Sequence, residues 1–136
     1  MNTKLLMTAS AIVMGAIGIV ASFMPGEILQ ALAQTPTATL IIIIQIAGAL
    51  YFGFAIMNWM AKSFLIGGFY SRPLSIGNFA HFGIAGISLM KAIINNSIQS
   101  TYILTLAISY FLFATSFAIV FFTNPTNSNS AYVLIF

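Results

Sequence analysis

Residues 40–60 read LIIIIQIAGALYFGFAIMNWM, a mainly apolar stretch of 21 residues without a charged side chain. A helix of about 20 mainly apolar residues is long enough to cross the hydrocarbon core of a bilayer. Three other stretches are mainly apolar over a similar length, and the predicted spans are residues 5–23, 40–60, 74–94 and 102–122. The sequence therefore predicts an all-α fold, an integral membrane four-helix bundle that forms a single domain over residues 1–136.

The composition of the whole chain supports the same class. Only 4% of its 136 residues are charged and 60% are hydrophobic, whereas about a quarter of the residues of a soluble domain are charged. The absence of cysteine excludes disulfides and thiolate metal sites. One histidine and one acid cannot supply three protein ligands to zinc. Four scattered bases do not form the basic run that nucleic-acid binding requires, and the predicted partner is the lipid bilayer.

The first connection predicts a short interfacial helix at approximately residues 25–33. Pro25 suits a first helical position, and Glu27 suits the first turn, where the helix dipole favours an anion. The apolar residues of this segment are expected to rest on the bilayer boundary.

Glu27 and Lys91 both fall near the outer boundary, which predicts an ion pair between them. Gly67-Gly68 predicts a turn, and Tyr70 to Arg72 predict a turn at the cytoplasmic interface.

The basic residues set the predicted orientation. Lys4, Lys62 and Arg72 fall on one side of the membrane, and Lys91 falls near the other side. Because lysine and arginine concentrate in cytoplasmic segments, the N-terminus and the C-terminus are both predicted to be cytoplasmic.

Each span has a helical face of small or polar residues. In lipid, such faces hold helices together because they allow close approach and interhelical hydrogen bonds. The four faces are predicted to point inward, and the bulky aromatic residues of the fourth span are predicted to point toward lipid. The inward residues are Thr8, Ala11, Gly15, Gly18 and Ser22, then Gln45, Gly48, Ala49, Phe52 and Trp59, then Asn78, His81, Ala85, Ser88 and Ala92, then Thr105, Ser109 and Ser116. The aromatic residues are Tyr110, Phe113, Phe117 and Phe121.

His81, the only histidine of the chain, is the centre of a candidate ligand-binding site. It lies about seven residues into the third span, roughly 10 Å deep, where an ionisable side chain is costly without a partner and is a functional hypothesis. In one interpretation, a neutral imidazole bonds to Asn78, Gln45 or a serine across the bundle. In the other, it bonds to the carbonyl of a quinone or another lipid-like ligand, with Asn78 beside it. Ser88, two turns along the same helix, belongs to the candidate set.

Arg72 is the last candidate ligand-binding residue. It stands with Pro73 at the cytoplasmic mouth of the third span, where an arginine meets lipid phosphates. In the alternative, it folds inward over Asn58 and Tyr70 to cap a cavity or to bind an anionic head group. The sequence has no arrangement of a nucleophile with a base and an orienting carboxylate, so no catalytic residue is predicted.

Two segments carry a resemblance to a known family. FMPGEILQAL at residues 23–32 and GALYFGFAIMNW at residues 48–59, with a basic turn before the third span, resemble the DoxX-like group of small four-helix bacterial membrane proteins. The shared pattern, P-x-E-x-L followed by G-A-L-Y-x-G, covers about the first half of the chain. The resemblance implies a four-helix bundle in a bacterial inner membrane. The group includes a subunit of a thiosulfate:quinone oxidoreductase, which favours a lipophilic ligand.

These observations predict a small polytopic membrane protein without independent catalysis, which acts as a binding or scaffolding component. One alternative is a quinone-binding membrane-anchor subunit of a redox complex, in which Asn78, His81 and Gln45 line the pocket. A second alternative is an oligomeric transporter of a small solute. The predicted partners besides lipid are other copies of the chain or a larger membrane protein, and the predicted cofactor, if one is bound, is a quinone or a lipid.

Overall fold

The computed structural model describes residues 3–63, 72–95 and 101–123. Within these ranges the regular elements are all helices: α1 (Thr3–Phe23), α2 (Pro25–Ala31), α3 (Ala38–Ala61), α4 (Arg72–Ile94) and α5 (Thr101–Thr123). All except α2 are long and apolar enough to cross a membrane, with mean hydropathies between 1.2 and 2.3. The chain is a multi-pass membrane protein, and the predicted all-α membrane bundle is confirmed. The predicted Gly67-Gly68 turn, Tyr70 and Ser71 of the predicted interface turn, and residues 124–136 lie outside the described residues, whereas Arg72 is the first residue of α4.

Each predicted span lies inside one of the four long helices, and the short helix α2 ends two residues earlier than expected. Ala33 has a positive φ of 54°, a left-handed conformation that an α-helix does not contain. The backbone N–H of Gln34 then bonds back to the carbonyl of Leu29 at 2.8 Å, as in other helix C-terminal motifs. At the start of α3, the Thr37 hydroxyl accepts a hydrogen bond from the backbone N–H of Leu40 at 3.3 Å and caps the helix.

The ion pair predicted between Glu27 and Lys91 is not formed. Both side chains are exposed, and the described part of the chain contains no ion pair that joins them. The helix that carries Glu27, α2, packs on α1 and α3, whereas Lys91 belongs to α4. The two charges therefore lie on different parts of the same end of the bundle.

Helices α1 and α3 form an antiparallel pair whose backbones touch at glycines. A Cβ atom on Gly18 would lie 2.7 Å from the backbone nitrogen of Phe52, and one on Gly48 would lie 2.6 Å from the Ser22 hydroxyl oxygen. These distances are shorter than van der Waals contact, so only glycine permits the approach. The prediction that small residues of the first two spans join their helices is confirmed at these positions.

Helices α4 and α5 form the second antiparallel pair, and here the prediction for the fourth span is wrong. Tyr110 and Phe117 are fully buried rather than lipid-facing, and Phe82 of α4 stacks on Phe113 and Phe117 with centroid distances of 4.8 and 5.9 Å. Gly86 packs beside these rings, and a Cβ atom there would lie 3.6 Å from the Tyr110 Cβ, an ordinary van der Waals contact.

The small polar residues of α5 need no partner helix, which explains the error. The Thr105 hydroxyl donates to the carbonyl of Thr101 at 2.9 Å, and the Ser116 hydroxyl donates to the carbonyl of Leu112 at 2.7 Å. Each hydroxyl is therefore satisfied within its own helix. The aromatic rings, which have much more surface, fill the space between the two helix pairs instead.

The two pairs meet through side chains from all four long helices. The central cluster consists of Met7, Met14, Ala55, Phe82, Tyr110, Ala114 and Phe117. The backbones of α3 and α4 stay apart over nearly their whole length, and the space between them is bridged by large side chains. This boundary, called the α3–α4 seam below, positions the candidate site.

The ends of the bundle differ in charge. Lys4, Lys62 and Arg72 lie where α1 begins, α3 ends and α4 begins, and this end is called the basic end below. Lys62 lies over the ring of Trp59, an arrangement typical of a helix end at a membrane interface. Lys91 lies in the last turn of α4, at the opposite end.

Candidate functional site

The first component of the site is a pair of asparagines that faces across the α3–α4 seam. The amide nitrogen of Asn58 donates to the amide oxygen of Asn78 at 2.8 Å, and the reverse bond measures 2.7 Å. Both side chains are fully buried. Because unpaired amides in an apolar interior are costly, each asparagine requires the other, and the pair fixes α3 against α4.

A third helix joins this network. The amide nitrogen of Asn58 also donates to the Ser10 hydroxyl of α1 at 3.1 Å, and that hydroxyl donates to the carbonyl of Met7 at 3.0 Å. The amide nitrogen of Asn78 donates in addition to the carbonyl of Leu74 at 2.9 Å. Both amide groups are thus bonded within the protein, and the network connects α1, α3 and α4.

The second component is His81, one turn of α4 beyond Asn78. Its ring is half-buried in the α3–α4 seam, where the Tyr51 ring meets it edge-on at 4.9 Å and the Phe54 ring stacks on it at 5.2 Å. The rings of Phe82 and Tyr110 lie on its inner side, at 5.2 and 6.0 Å. The imidazole therefore sits among four aromatic rings.

The ring nitrogen Nε2 of His81 is buried and has no hydrogen-bond partner among the described residues. The expected bonds from this nitrogen to Asn78, to Gln45 or to a serine across the bundle are not made. The reason is that Asn78 bonds to Asn58 instead, which leaves no amide turned toward the imidazole. Buried polar atoms are nearly always paired, so an unpaired one requires an explanation.

The third component is a pair of tyrosines beside His81. The Tyr110 hydroxyl donates to the Tyr51 hydroxyl at 2.5 Å, which ties α5 to α3. Tyr51 and Asn58 are not among the site residues predicted from the sequence, and Tyr110 is predicted there to face lipid. The available signal was chemical: a tyrosine or an asparagine within an apolar span needs a polar partner.

The remaining predicted site residues lie away from His81. Gln45 is exposed on the α1 side of α3, where its amide nitrogen donates to the carbonyl of Ser22 at 3.4 Å. Ser88 is exposed, and its hydroxyl donates to the carbonyl of Ile84 in its own helix at 2.9 Å. His81 and Asn78 lie one turn apart on α4 without a bond between them, and Gln45 and Ser88 are bonded elsewhere.

Arg72 is exposed at the basic end. Its guanidinium carbon lies 5.8 Å from the centroid of the Phe121 ring of α5, at the distance of a cation–π contact. It does not fold over Asn58, whose amide is already bonded to Ser10 and Asn78. Tyr70, the other expected neighbour, lies outside the described residues. Arg72 thus occupies a helix end rather than the site.

The assembled site combines hydrogen-bonding groups with aromatic rings. It provides one imidazole, one hydrogen-bonded phenol pair and several aromatic faces, and it has no carboxylate to orient the imidazole as a base. Within the described residues, no three histidine, cysteine or acidic side chains are grouped as a metal site would require. Hydrogen bonding and ring stacking are the interactions that this arrangement can supply to another molecule.

Comparisons with known proteins do not extend this description. No protein-family model matches the chain, and neither a curated protein nor a solved structure matches it significantly. The resemblance to the DoxX-like group stays a prediction that depends on the residues quoted for it.

Proposed function

We propose that this chain is a multi-pass protein of a bacterial inner membrane that binds a lipophilic molecule at His81 and has no catalysis of its own. The ligand class is a planar ring that carries a carbonyl, as in a quinone. One observation carries the proposal: Nε2 of His81 is buried without a hydrogen-bond partner in the part of the chain that the structure describes.

The energetics favour a ligand at this nitrogen. An unsatisfied buried polar group costs about 1–3 kcal/mol. A carbonyl that accepts a hydrogen bond from Nε2–H removes this cost, and the rings of Tyr51 and Phe54 present faces and edges to a planar partner. Binding therefore gains both a hydrogen bond and aromatic contact.

The position of His81 restricts the ligand to molecules that dissolve in hydrocarbon. His81 lies nine residues beyond Arg72, the first residue of α4, which corresponds to about 14 Å along the helix. This depth is near the middle of a hydrocarbon core of about 30 Å. A polar solute does not reach it from lipid, whereas a quinone with an isoprenoid tail does.

The α3–α4 seam supplies the path. The α3 and α4 backbones are not closely packed, and the Phe54 ring that covers His81 is only half-buried. We propose that a rotation of Phe54 about its Cα–Cβ bond gives a ligand access to the imidazole from lipid. The Asn58–Asn78 pair, one turn away, holds the seam together during this motion.

The proposal includes an orientation, which the distribution of charge supports. Lys4, Lys62 and Arg72 share the basic end, so the positive-inside rule favours this end in the cytoplasm. Both termini are then cytoplasmic, since α5 ends where α1 begins. The residues that resemble the DoxX-like group support the placement in a bacterial inner membrane.

Quantification of bound quinone tests the function. The protein is purified from bacterial membranes in a mild detergent, and quinone in the organic extract is measured by mass spectrometry per mole of protein. We expect quinone in the wild type and about tenfold less in His81→Leu, the loss that corresponds to about 1.4 kcal/mol. Phe79→Leu is the matched control, because Phe79 lies two residues away and is 38% exposed; it should retain the quinone.

Two results would overturn the proposed function. The first is a wild-type protein that contains no quinone and acquires none from quinone-loaded liposomes. The second is equal quinone in His81→Leu and in the wild type, which would assign the histidine to packing alone.

Cysteine labelling tests the orientation separately, because the chain has no native cysteine that would react with the label. Ser63→Cys, after α3, and Gln34→Cys, after α2, place single thiols at exposed positions on opposite ends of the bundle. In intact cells, a membrane-impermeant maleimide should label Gln34→Cys and not Ser63→Cys. The reverse pattern would contradict cytoplasmic termini.

A further inference from the structure

A second feature lies at the end of the bundle opposite the basic end. An open groove of about 240 Å³ runs between helices α4 and α5. It is lined by Ile87, Met90, Lys91, Ile94 and Phe111. Four of the five lining residues are apolar. Ile87 and Ile94 are 64% and 70% exposed, so the groove faces the surroundings of the bundle and not its interior.

Lys91 is the one cation among the residues that line this groove, and the described part of the chain gives it no counter-ion. The chain has four basic residues, and the other three lie at the basic end. Glu27, the only acid of the chain, does not pair with Lys91. An isolated ammonium group beside apolar walls is complementary to an anionic head group.

The depth of the groove matches an amphiphile in a bilayer. Lys91 lies three residues before Ile94, the end of α4, so its Cα is about 4.5 Å from the helix end. A lysine so placed extends its ammonium group to the level of the lipid phosphates. Ile87 lies one turn deeper, about 6 Å further along the helix, so an apolar wall continues below the charge.

The volume indicates which part of an amphiphile fits. Pockets for drug-sized ligands measure about 300–1,000 Å³, and this groove, at about 240 Å³, is smaller and open on one side. It suits one extended hydrocarbon chain more than a compact ring system. It is therefore a different kind of site from the aromatic surroundings of His81.

We propose that this groove holds one acyl chain of an anionic phospholipid, with the lipid phosphate at the ammonium group of Lys91. The occupant is a membrane lipid, because the groove opens where lipid surrounds the bundle and its charge lies at head-group level. This site is independent of the quinone proposed at His81, and either proposal can fail without the other.

Site-specific crosslinking in liposomes tests the lipid site. The probe is a phosphatidylglycerol with a diazirine on one acyl chain, and a phosphatidylcholine with the same chains is the zwitterionic comparison. Peptide mass spectrometry measures the crosslinks to residues 87–94 and to Phe111. We expect a crosslink yield about five-fold higher for the anionic probe, the ratio that corresponds to one lysine near an anionic lipid surface.

Variants separate the charge of the groove from its shape. Lys91→Gln should bring the two probes to equal yields, and Lys91→Arg, which keeps the charge, should preserve the preference. Ile87→Phe fills the groove and should lower the yield of both probes. Ile84→Phe is the matched control, because Ile84 is 67% exposed on the same helix and does not line the groove.

Two patterns of crosslink yield would contradict the lipid site. Equal yields for the two probes in the wild type, or a preference that persists in Lys91→Gln, would identify the lipid as unselective annular lipid. Equal effects of Ile87→Phe and Ile84→Phe would remove the groove as the determinant. The far-ultraviolet circular dichroism spectrum of Lys91→Gln should equal that of the wild type, which distinguishes a lost lipid site from a misfolded protein.

Discussion

The asparagine pair gives the sharpest prediction about stability. Asn58 and Asn78 exchange two hydrogen bonds, at 2.8 and 2.7 Å, and both side chains are fully buried. Leucine has nearly the same size as asparagine and cannot form these bonds. Replacing either asparagine alone with leucine removes both bonds and leaves the other amide buried without its partner.

The magnitude follows from two contributions. Interhelical hydrogen bonds in membrane proteins contribute about 0.6 kcal/mol on average, so the two bonds account for about 1 kcal/mol. The orphaned amide adds a desolvation cost of about 1–3 kcal/mol. Each single variant, Asn58→Leu or Asn78→Leu, should lower the free energy of unfolding by roughly 2–4 kcal/mol.

The double variant should be less destabilised than the two single variants combined. With leucine at both positions, no amide is orphaned, and replacement of both partners by apolar groups of similar shape is nearly neutral. We expect a favourable coupling of about 2 kcal/mol, within the range for residues in direct contact. Ser10, which loses its bond from Asn58, still donates to the carbonyl of Met7 and should contribute little.

The assay is reversible unfolding in mixed micelles of mild detergent and dodecyl sulfate, followed by far-ultraviolet circular dichroism. Ser10→Ala serves as the control, because it removes one acceptor of the network and leaves the asparagine pair intact; we expect a loss below about 1 kcal/mol. Additive effects of the two leucine substitutions would refute the reciprocal pair, since additivity means that neither asparagine depends on the other.

The same unfolding assay checks two further predictions. Gly18→Ala should destabilise the protein by about 1–3 kcal/mol, because the added Cβ would lie 2.7 Å from a backbone nitrogen of α3. Gly53→Ala, whose added Cβ meets nothing within 4 Å, should leave stability unchanged or slightly raise it. Equal effects of the two substitutions would contradict the close approach of α1 and α3. Tyr110→Phe removes the hydroxyl that bonds to Tyr51 and should cost about 0.6–1.7 kcal/mol, and a variant as stable as the wild type would show that this bond contributes nothing.

The number and limits of the helices were largely predictable because they depend on local properties of the sequence. An apolar stretch of about 20 residues must form a helix in lipid, where every backbone group needs an internal partner. Features such as the Thr37 cap and Ala33, whose positive φ ends α2 early, adjust the boundaries by one or two residues only. The glycine contacts of Gly18 and Gly48 were likewise visible as small residues at helical spacing.

The arrangement around His81 was less predictable because it depends on pairing between distant residues. Asn58 lies near the end of α3 beside Trp59, where an asparagine looks like an interfacial residue, and its partner is 20 residues away on another helix. The Tyr51–Tyr110 bond joins residues 59 positions apart. Hydrophobic periodicity gives no sign of such pairs.

Among the alternatives that the sequence left open, a scaffolding component, an anchor subunit of a redox complex and an oligomeric transporter stay predictions. Each of them depends on a partner chain. We favour ligand binding at His81 because the nitrogen that lacks a hydrogen-bond partner among the described residues belongs to this chain, and the proposal needs no partner protein to explain it.

Nitrogen-15 magnetic resonance of His81 in proteoliposomes tests the binding proposal most directly, because the chain has a single histidine and its imidazole signals need no assignment. The measurement compares the ring-nitrogen resonances before and after addition of a short-chain ubiquinone, with the free isoprenoid alcohol of the same tail as the control. We expect the Nε2 resonance to shift with ubiquinone and to stay in place with the alcohol. An Nε2 resonance that does not respond to ubiquinone, or that shifts equally with both, would contradict quinone binding at His81.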